Sequence, residues 1–466
     1  MNRQQHHHLK LKTSTKIMLW IASLLLICSP LGFYFATSQP NKPIRTLPET
    51  ATKTQDSTSA DKAKTPETTE TKATITASGD MLYHYVVFGG AYNDGEKRYD
   101  LDNDFEQLAT VMDRADLCLG DFEGTINPAY PLSGFPMFNA PEDVVKSIQK
   151  AGFDVVDLAH NHILDTGLEG LNYTAKAFEK ADIATIGVNP EGQNDILIKE
   201  INGIKVALLA YAYGFNGMEN NLSQADYDKY LHDLNMEKVA ADLQKAEELA
   251  DITVVMPQLG TEYALAPTEE QQSTYRKMID LGADIIFGGH PHVAEPTEII
   301  EKDGQQKFII YSMGNLLSNQ RYETIQNYWG ERGVLMELEL TKKGDKTTIS
   351  NILPHPTWVS KEPIEGVTYT QDGTVNQAYD YQVYLAEDYL PKGRYADQVP
   401  AEKRQRIETA YHEMMALLDL KWPESNITES PQTTSASSDD AGKTTTAITG
   451  NTSSSTVEKA GKAGQH

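Results

Sequence analysis

Cysteine is nearly absent from this chain: among 466 residues there are two, Cys28 and Cys118. Cys28 sits in an apolar N-terminal run and Cys118 in a predicted buried strand. They cannot readily pair, so no disulfide scaffold holds the fold. Positive charge is also scarce. Against 66 Asp and Glu stand 41 Lys and Arg, a formal net charge of -25. Such a surface repels phosphate backbones and excludes nucleic acid as a partner; its ordinary use is solubility. Large apolar side chains are sparse near both ends, one run aside. A single body of roughly 300 residues must therefore hold the core, enough to bury a large mixed sheet.

The apolar exception is Ile17 to Ala36, IMLWIASLLLICSPLGFYFA, which holds no charged residue. About 20 such residues cross ~30 Å of hydrocarbon. Lys10, Lys12 and Lys16 precede the run, and no lysine follows until Lys42. Residues 1–16 are thus expected in the cytoplasm and the rest of the chain outside, as a single-pass protein of the cell membrane. The competing reading is a signal peptide cleaved at the small-x-small site Ala36-Thr37-Ser38. The length of the run favours the anchor. A lipoprotein is disfavoured because Ile27 before Cys28 is bulky. The cysteine count suits an exported Gram-positive protein and a cytosolic one equally. Residues 37–72 read as a disordered Ser/Thr/Pro linker and 424–466 as a disordered Ser/Thr-rich tail.

Between these segments, short apolar runs alternate with amphipathic stretches. Strands are predicted at 73–79, 116–120, 155–159, 183–187, 205–212, 252–257 and 284–289. Helices are predicted at 104–115, 141–152, 168–181, 236–250 and 268–282. Strands alternating with helices of this length imply βαβ crossovers and a largely parallel central sheet, hence an α/β fold. After Val293 strand patterns follow one another, which predicts an antiparallel portion alongside. A last helix, Ala401 to Leu420, places Ile407, Ala410, Tyr411, Met414, Leu417 and Leu418 on one face and is expected to dock on the body. The domain is placed at 73–360, with 361–423 as an extension carrying that helix.

Side chains able to bind metal gather where the strands end, the position at which open α/β folds keep their functional groups. The first strand ends in Gly79-Asp80 and the second in Gly120-Asp121-Phe122-Glu123-Gly124. The third runs into His160-Asn161-His162, with Asp165 just beyond. Later strands end in Gly288-Gly289-His290-Pro291-His292 and in Met313-Gly314-Asn315. Each alone is ordinary. An Asp after a strand is usually a cap or turn residue, and a lone His-x-His is usually a surface pair. Their recurrence at successive strand ends predicts one shared metal site. Carboxylate, amide and imidazole donors suit Mn, Fe or Zn rather than a thiolate centre. One or two such divalent ions could clamp the oxygens of a displacement at phosphorus and make a water nucleophilic.

GD (79–80), DFEG (121–124), HNHILDTG (160–167), GADIIFGGHPHV (282–293) and YSMGN (311–315) together resemble the bacterial CapA, or poly-γ-glutamate capsule-synthesis, family. The resemblance implies a calcineurin-like metallophosphoesterase fold, a sandwich of sheets flanked by helices. It implies metal-ligand roles for Asp80, Glu123, Asn161, His290 and His292, with Asp121 assisting. It places His162 as general acid for the leaving group, with Asp165 as its catalytic companion; an imidazole titrating near pH 6.5 suits that task. It also implies a cell-surface polymer or its precursor as partner, along with other capsule-synthesis membrane proteins.

The chain departs from the family pattern at two points. Relatives commonly read His-Trp-Gly and then Glu-Tyr, whereas this chain reads Gln258-Leu259-Gly260-Thr261-Glu262-Tyr263. Gln258 thus stands where an imidazole ligand is expected, and an amide oxygen is a weaker donor. Leu82 likewise fills the histidine position of the superfamily's Asp-x-His after Asp80, leaving His84 as the candidate to compensate. Two readings stay open. One is a metal-dependent hydrolase of the outer surface, acting on phosphoester bonds or on amide bonds of a polyglutamate-like or wall polymer. The other is a non-catalytic factor that keeps the fold while assisting assembly or export of capsule polymer.

Overall fold

The computed structural model describes residues 70–190, 192 and 196–422. The expected cytoplasmic tail 1–16, anchor 17–36, nearly all of the linker 37–72 and the tail 424–466 lie outside the described residues, as does Cys28. Among the described residues no helix is long and apolar enough to cross a membrane.

The alternating pattern folds into two mixed sheets. In the first, β1 (Glu70–Met81), β2 (Leu117–Phe122), β3 (Val155–Asp157) and β4 (Ala184–Ile186) lie side by side and parallel. The second contains β5 (Leu197–Ile201), β6 (Ile204–Ala212), β7 (Ile252–Gln258), β8 (Ile285–Phe287), β9 (Thr297–Lys302) and β10 (Gln305–Ile310), in the order β9-β10-β8-β7-β6-β5. Its centre is parallel, and β5 and β9 pair antiparallel at its edges. The chain then returns to the first sheet. β11 (Asn315–Leu317) pairs with the end of β1, and β12 (Arg332–Lys343), β13 (Lys346–Gln371) and β14 (Thr374–Leu385) extend the sheet antiparallel on the other side of β1. That is the antiparallel portion read from the sequence after Val293. β13 runs straight through residue 360, so the expected boundary there falls inside a strand.

Side-chain alternation explains why the layers stack. Along β6, Val206, Leu208 and Ala210 join the buried cluster that also holds Ile75, Leu119 and Val156 of the first sheet. Ala207, Leu209 and Tyr211 point the other way, into a second cluster with Leu243 and Ile279. Those last two belong to helices α3 (Met236–Leu249) and α4 (Glu269–Leu281), which follow α1 (Asp143–Ala151) and α2 (Gly167–Lys180). α1 turns Val144, Val145 and Ile148 inward and stops where Gly152 adopts φ 93°, its N–H closing on the Gln149 and Ile148 carbonyls. α4 starts with a reciprocal cap: Thr268 Oγ1 accepts from the Gln271 N–H, and Gln271 Oε1 accepts from the Thr268 N–H.

The helix predicted at 104–115 is much shorter. A 3₁₀ turn, Glu106–Leu108, leads into one turn of α-helix, Ala109–Met112. Tertiary bonds set its course, with Asn103 held by Asp380 and Gln107 by Tyr389. α5 (Ala401–Leu418) buries Ile407, Ala410, Met414 and Leu418, while Tyr411 and Leu417 are half-buried. Beneath it Glu331, wholly buried, accepts from Trp358 Nε1 at 2.9 Å and Arg406 Nε at 2.6 Å.

Candidate metal centre

Parallel strands bring their C-terminal ends to one edge of a sheet. At the end of β1, Asp80 pairs through its backbone with Asp121 of β2 and with Asn315 of β11. Glu123 follows one residue after β2. From the second sheet, the loop after β8 brings in His292. Asp80, Glu123 and His292 are all buried, and their ligand atoms all lie within 4.8 Å of one another. His292 Nδ1 lies 3.0 Å from Asp80 Oδ2, 3.9 Å from Glu123 Oε2 and 3.2 Å from Asn315 Oδ1.

Backbone geometry keeps the space clear. A Cβ at position 289 would stand 3.2 Å from both Asp121 Oδ2 and Asp80 Oδ1, so glycine leaves room beside the two carboxylates. The histidines after it adopt positive φ, 95° at His290 and 57° at His292. Non-glycine residues in that region carry strain of order 1–3 kcal/mol, and such strain collects at functional sites.

The charge at this point is unbalanced. Burial raises Asp121 well above the usual carboxylate range, with the neighbouring charges of Asp157 and Asp80 adding to it. Burial likewise raises Glu123 to about 7. Burial pushes the His292 ring down, but Glu123 and the bond to Asp80 outweigh it and hold the ring at about 9. Asp80 Oδ1, Asp121 Oδ1 and both Glu123 oxygens are buried without a hydrogen-bond partner. Carboxylates left this way cost several kcal/mol unless a cation offsets them. The residues therefore fit a divalent ion held by oxygen and imidazole donors.

The other expected residues surround this group. Asn161 and Gln258 hold each other. The Asn161 N–H donates to Gln258 Oε1 at 2.8 Å, and Gln258 Nε2 donates to Asn161 Oδ1 at 3.2 Å. His290 lies against Tyr213, ring centres 4.5 Å apart, and its Nδ1 is buried without a partner; burial pushes it down to about 3. His162 Nδ1 donates to Asp165 Oδ2 at 2.8 Å, and the Phe138 N–H fixes that same oxygen at 2.6 Å. Burial pulls the His162 ring down, but Asp165 and the charge of Glu123 raise it on balance. His84 packs edge-on against Phe138, and burial lowers it to about 4.

Sequence reading passed over three neighbours. Asp157 is buried inside β3, where an acid in an apolar run, VVDLA, was a visible signal. Asn216 accepts from Asn161 Nδ2 at 3.2 Å and lies 3.4 Å from His162 Nδ1. Tyr213 covers His290. The last two sit in Tyr213-Gly214-Phe215-Asn216-Gly217, a glycine-rich strand end like those that were noticed.

Fold and site together define an α/β protein with a buried cluster of carboxylates and a histidine able to hold a cation, at the joined ends of two mixed sheets. Residues 74–320, more than half of the chain, match the family model described as bacterial capsule synthesis protein PGA_cap. The chain belongs to that family. Relatives include the capsule biosynthesis protein CapA of Bacillus anthracis, 28% identical over 291 residues that cover 61% of this chain and 67% of that one. The PGA biosynthesis protein CapA of Bacillus subtilis is 26% identical over 296 residues, covering 60% and 74%. Among solved structures, the calcineurin-like phosphoesterase YfkN of Bacillus subtilis is 14% identical, with 75% of this chain and 99% of that chain covered and a TM-score of 0.36.

Proposed function

We propose that this chain is a membrane-anchored, outward-facing hydrolase that uses a divalent metal, Mn, Fe or Zn, on a cell-surface polymer or its precursor in capsule or polyglutamate synthesis, with a metallophosphoesterase-like site. The observation that carries it is the group of orphaned carboxylate oxygens on Asp80, Asp121 and Glu123, closed on one side by His292. A cation there supplies Lewis-acid polarisation of a phosphoryl or carbonyl oxygen and an acidified water. Asp165 orients His162 through Nδ1, which leaves Nε2 free to protonate a leaving group. The relatives named for capsule and PGA biosynthesis support the polymer, and the charge-free run 17–36 supports the anchor.

A second reading has its own support. The mutual hydrogen bonds of Asn161 and Gln258 engage both amides, and His290 is set against Tyr213. A second ion would then lack donors, which favours an assembly or export factor retaining one metal. Elemental analysis of the purified protein, paired with phosphoester and γ-glutamyl amide hydrolysis across added Mn²⁺ and Zn²⁺, separates the two. Stoichiometric metal with no turnover of any substrate would leave the assembly role standing.

A further inference from the structure

A fourth side chain faces the group formed by Asp80, Glu123 and His292. β11 lies along the end of β1, where the Asp80 N–H donates to the Gly314 carbonyl at 3.1 Å and the Leu82 N–H to the Leu317 carbonyl at 2.7 Å. That register sets Asn315 beside Asp80, and Asn315 is wholly buried. Its Oδ1 lies 3.2 Å from His292 Nδ1. The amide cannot be turned around. Nδ2 donates to the Gly330 carbonyl at 3.0 Å and to Gln320 Oε1 at 2.9 Å. A backbone carbonyl only accepts, so the nitrogen belongs on that side and the oxygen faces His292. Gly330 is carried on the 3₁₀ turn Tyr328–Glu331, which Glu331 pins to Trp358 and Arg406. The oxygen is thus held from behind on a fixed support.

What that oxygen faces is short of hydrogen. A ring nitrogen carries one hydrogen at most. His292 Nδ1 stands before three buried oxygens: Asp80 Oδ2 at 3.0 Å, Asn315 Oδ1 at 3.2 Å and Glu123 Oε2 at 3.9 Å. Asp80 makes the closest contact, and among the described residues no other group donates to Asn315 Oδ1. One hydrogen cannot serve all three. A cation placed among them can, because each oxygen offers it a lone pair.

Resting on the metal reading above, we propose that Asn315 binds the divalent ion through Oδ1, completing with Asp80, Glu123 and His292 Nδ1 a set of three oxygens and one nitrogen. Donors held to one ion at about 2.0–2.2 Å stand roughly 3–3.5 Å apart. The separations from Nδ1 to Asp80 and to Asn315, 3.0 and 3.2 Å, fall in that range. A residue that merely orients a ligand histidine accepts from the ring nitrogen turned away from the ion. Asn315 instead faces the same nitrogen that faces both carboxylates. Charge fits as well. Asp80 and Glu123 already match a divalent ion, and Asp121 pairs with Asp80 alongside. A neutral amide adds a donor there without adding repulsion.

The test titrates the purified full chain with Co²⁺. Calorimetry reads the affinity, and visible absorption, which responds to donor number and type, reads the ligand set. Asn315→Ala should weaken binding about tenfold or more. At saturating Co²⁺ its bands should differ from wild type in position and intensity. Asn315→Asp keeps an oxygen at that reach, so it should still bind, while its metal-free melting temperature falls from the added negative charge. If metal-free melting shows that the alanine variant has lost its cooperative transition, Asn315→Ser, whose hydroxyl is too short to reach, is read in its place. The assignment is overturned by wild-type affinity in the alanine variant, or by loss of binding in Asn315→Asp as complete as in Asn315→Ala. It is also overturned if the saturated alanine spectrum superimposes on wild type, since Asn315 would then only steady the ring. Those results leave the metal reading standing, whereas a wild-type chain that takes up no Co²⁺, Mn²⁺ or Zn²⁺ overturns both.

Discussion

His292 and Asp80 stand 212 residues apart in sequence, yet Nδ1 and Oδ2 meet at 3.0 Å. The contact fastens the loop after β8 to the end of β1, joining the two sheets where buried negative charge collects. Without a cation, the His292 ring serves as the counter-charge.

A cation added to the purified protein should raise its melting temperature. A ligand that binds only the native state adds about 2.7 kcal/mol when its concentration is a hundred times Kd. Glu123→Gln should act in two ways. In chelator it removes a buried charge that counters the protonated His292 ring 3.9 Å away and should destabilise by about 1 kcal/mol. In Mn²⁺ or Zn²⁺ it should lose the metal-induced rise. Scanning calorimetry with and without metal reads both effects, and equal rises in variant and wild type would remove Glu123 from the donor set.

Gly289→Ala tests the space rather than the donors. The added methyl meets Asp121 Oδ2 and Asp80 Oδ1 at 3.2 Å, tight enough that the carboxylates must give way. Metal affinity should fall at least tenfold, at a stability cost of about 1–3 kcal/mol for overpacking. Isothermal titration together with urea unfolding separates the two; wild-type affinity would show that the cation does not sit beside this backbone.

His162→Gln should leave metal content intact while lowering hydrolysis by about 10²–10⁴, the usual range for removing a general acid. Asp165→Asn should cost less, since it disturbs only the orientation of the ring. Elemental analysis beside turnover numbers checks this. Metal lost along with activity would make His162 a ligand rather than an acid.

A separate pH dependence is built in far from the centre. Burial lowers the His355 ring, but the bonds to Glu337 and Glu387 outweigh it and raise its pKa to about 9 from 6.5. The folded state therefore binds this proton more tightly than the unfolded one. The stabilisation is complete below about pH 6.5 and disappears as pH climbs through about 9. Its ceiling is about 3 kcal/mol. The neutral ring can still accept from Arg114 Nη2, 3.2 Å from Nε2, so the measured loss should fall below that ceiling. Urea unfolding at pH 6 and pH 9.5 should show a larger drop for wild type than for His355→Gln.

The strand ends that build the centre were legible because each carries a local signal: an apolar run, a glycine, then a metal-type side chain. The partnership of Gln258 with Asn161 was not, since 97 residues separate them and nothing in either segment specifies the other. The short helix near 109–112 misled for a related reason. Its apolar spacing suits a longer helix, but bonds to residues near 380–389 shape its flanks. Asn216 could have been found by asking which glycine-rich strand ends remained unassigned.

The order of apolar runs and helical faces alone determined that the chain makes a layered α/β body, because periodicity dictates which side chains can be buried together. It also determined which loops hold carboxylate and imidazole groups. Only the tertiary structure decided that Asp80, Glu123 and His292 converge while Asn161 turns to Gln258, and that α5 docks over Glu331. Those outcomes depend on how two sheets stack and where a distant helix docks, distances that no local pattern encodes.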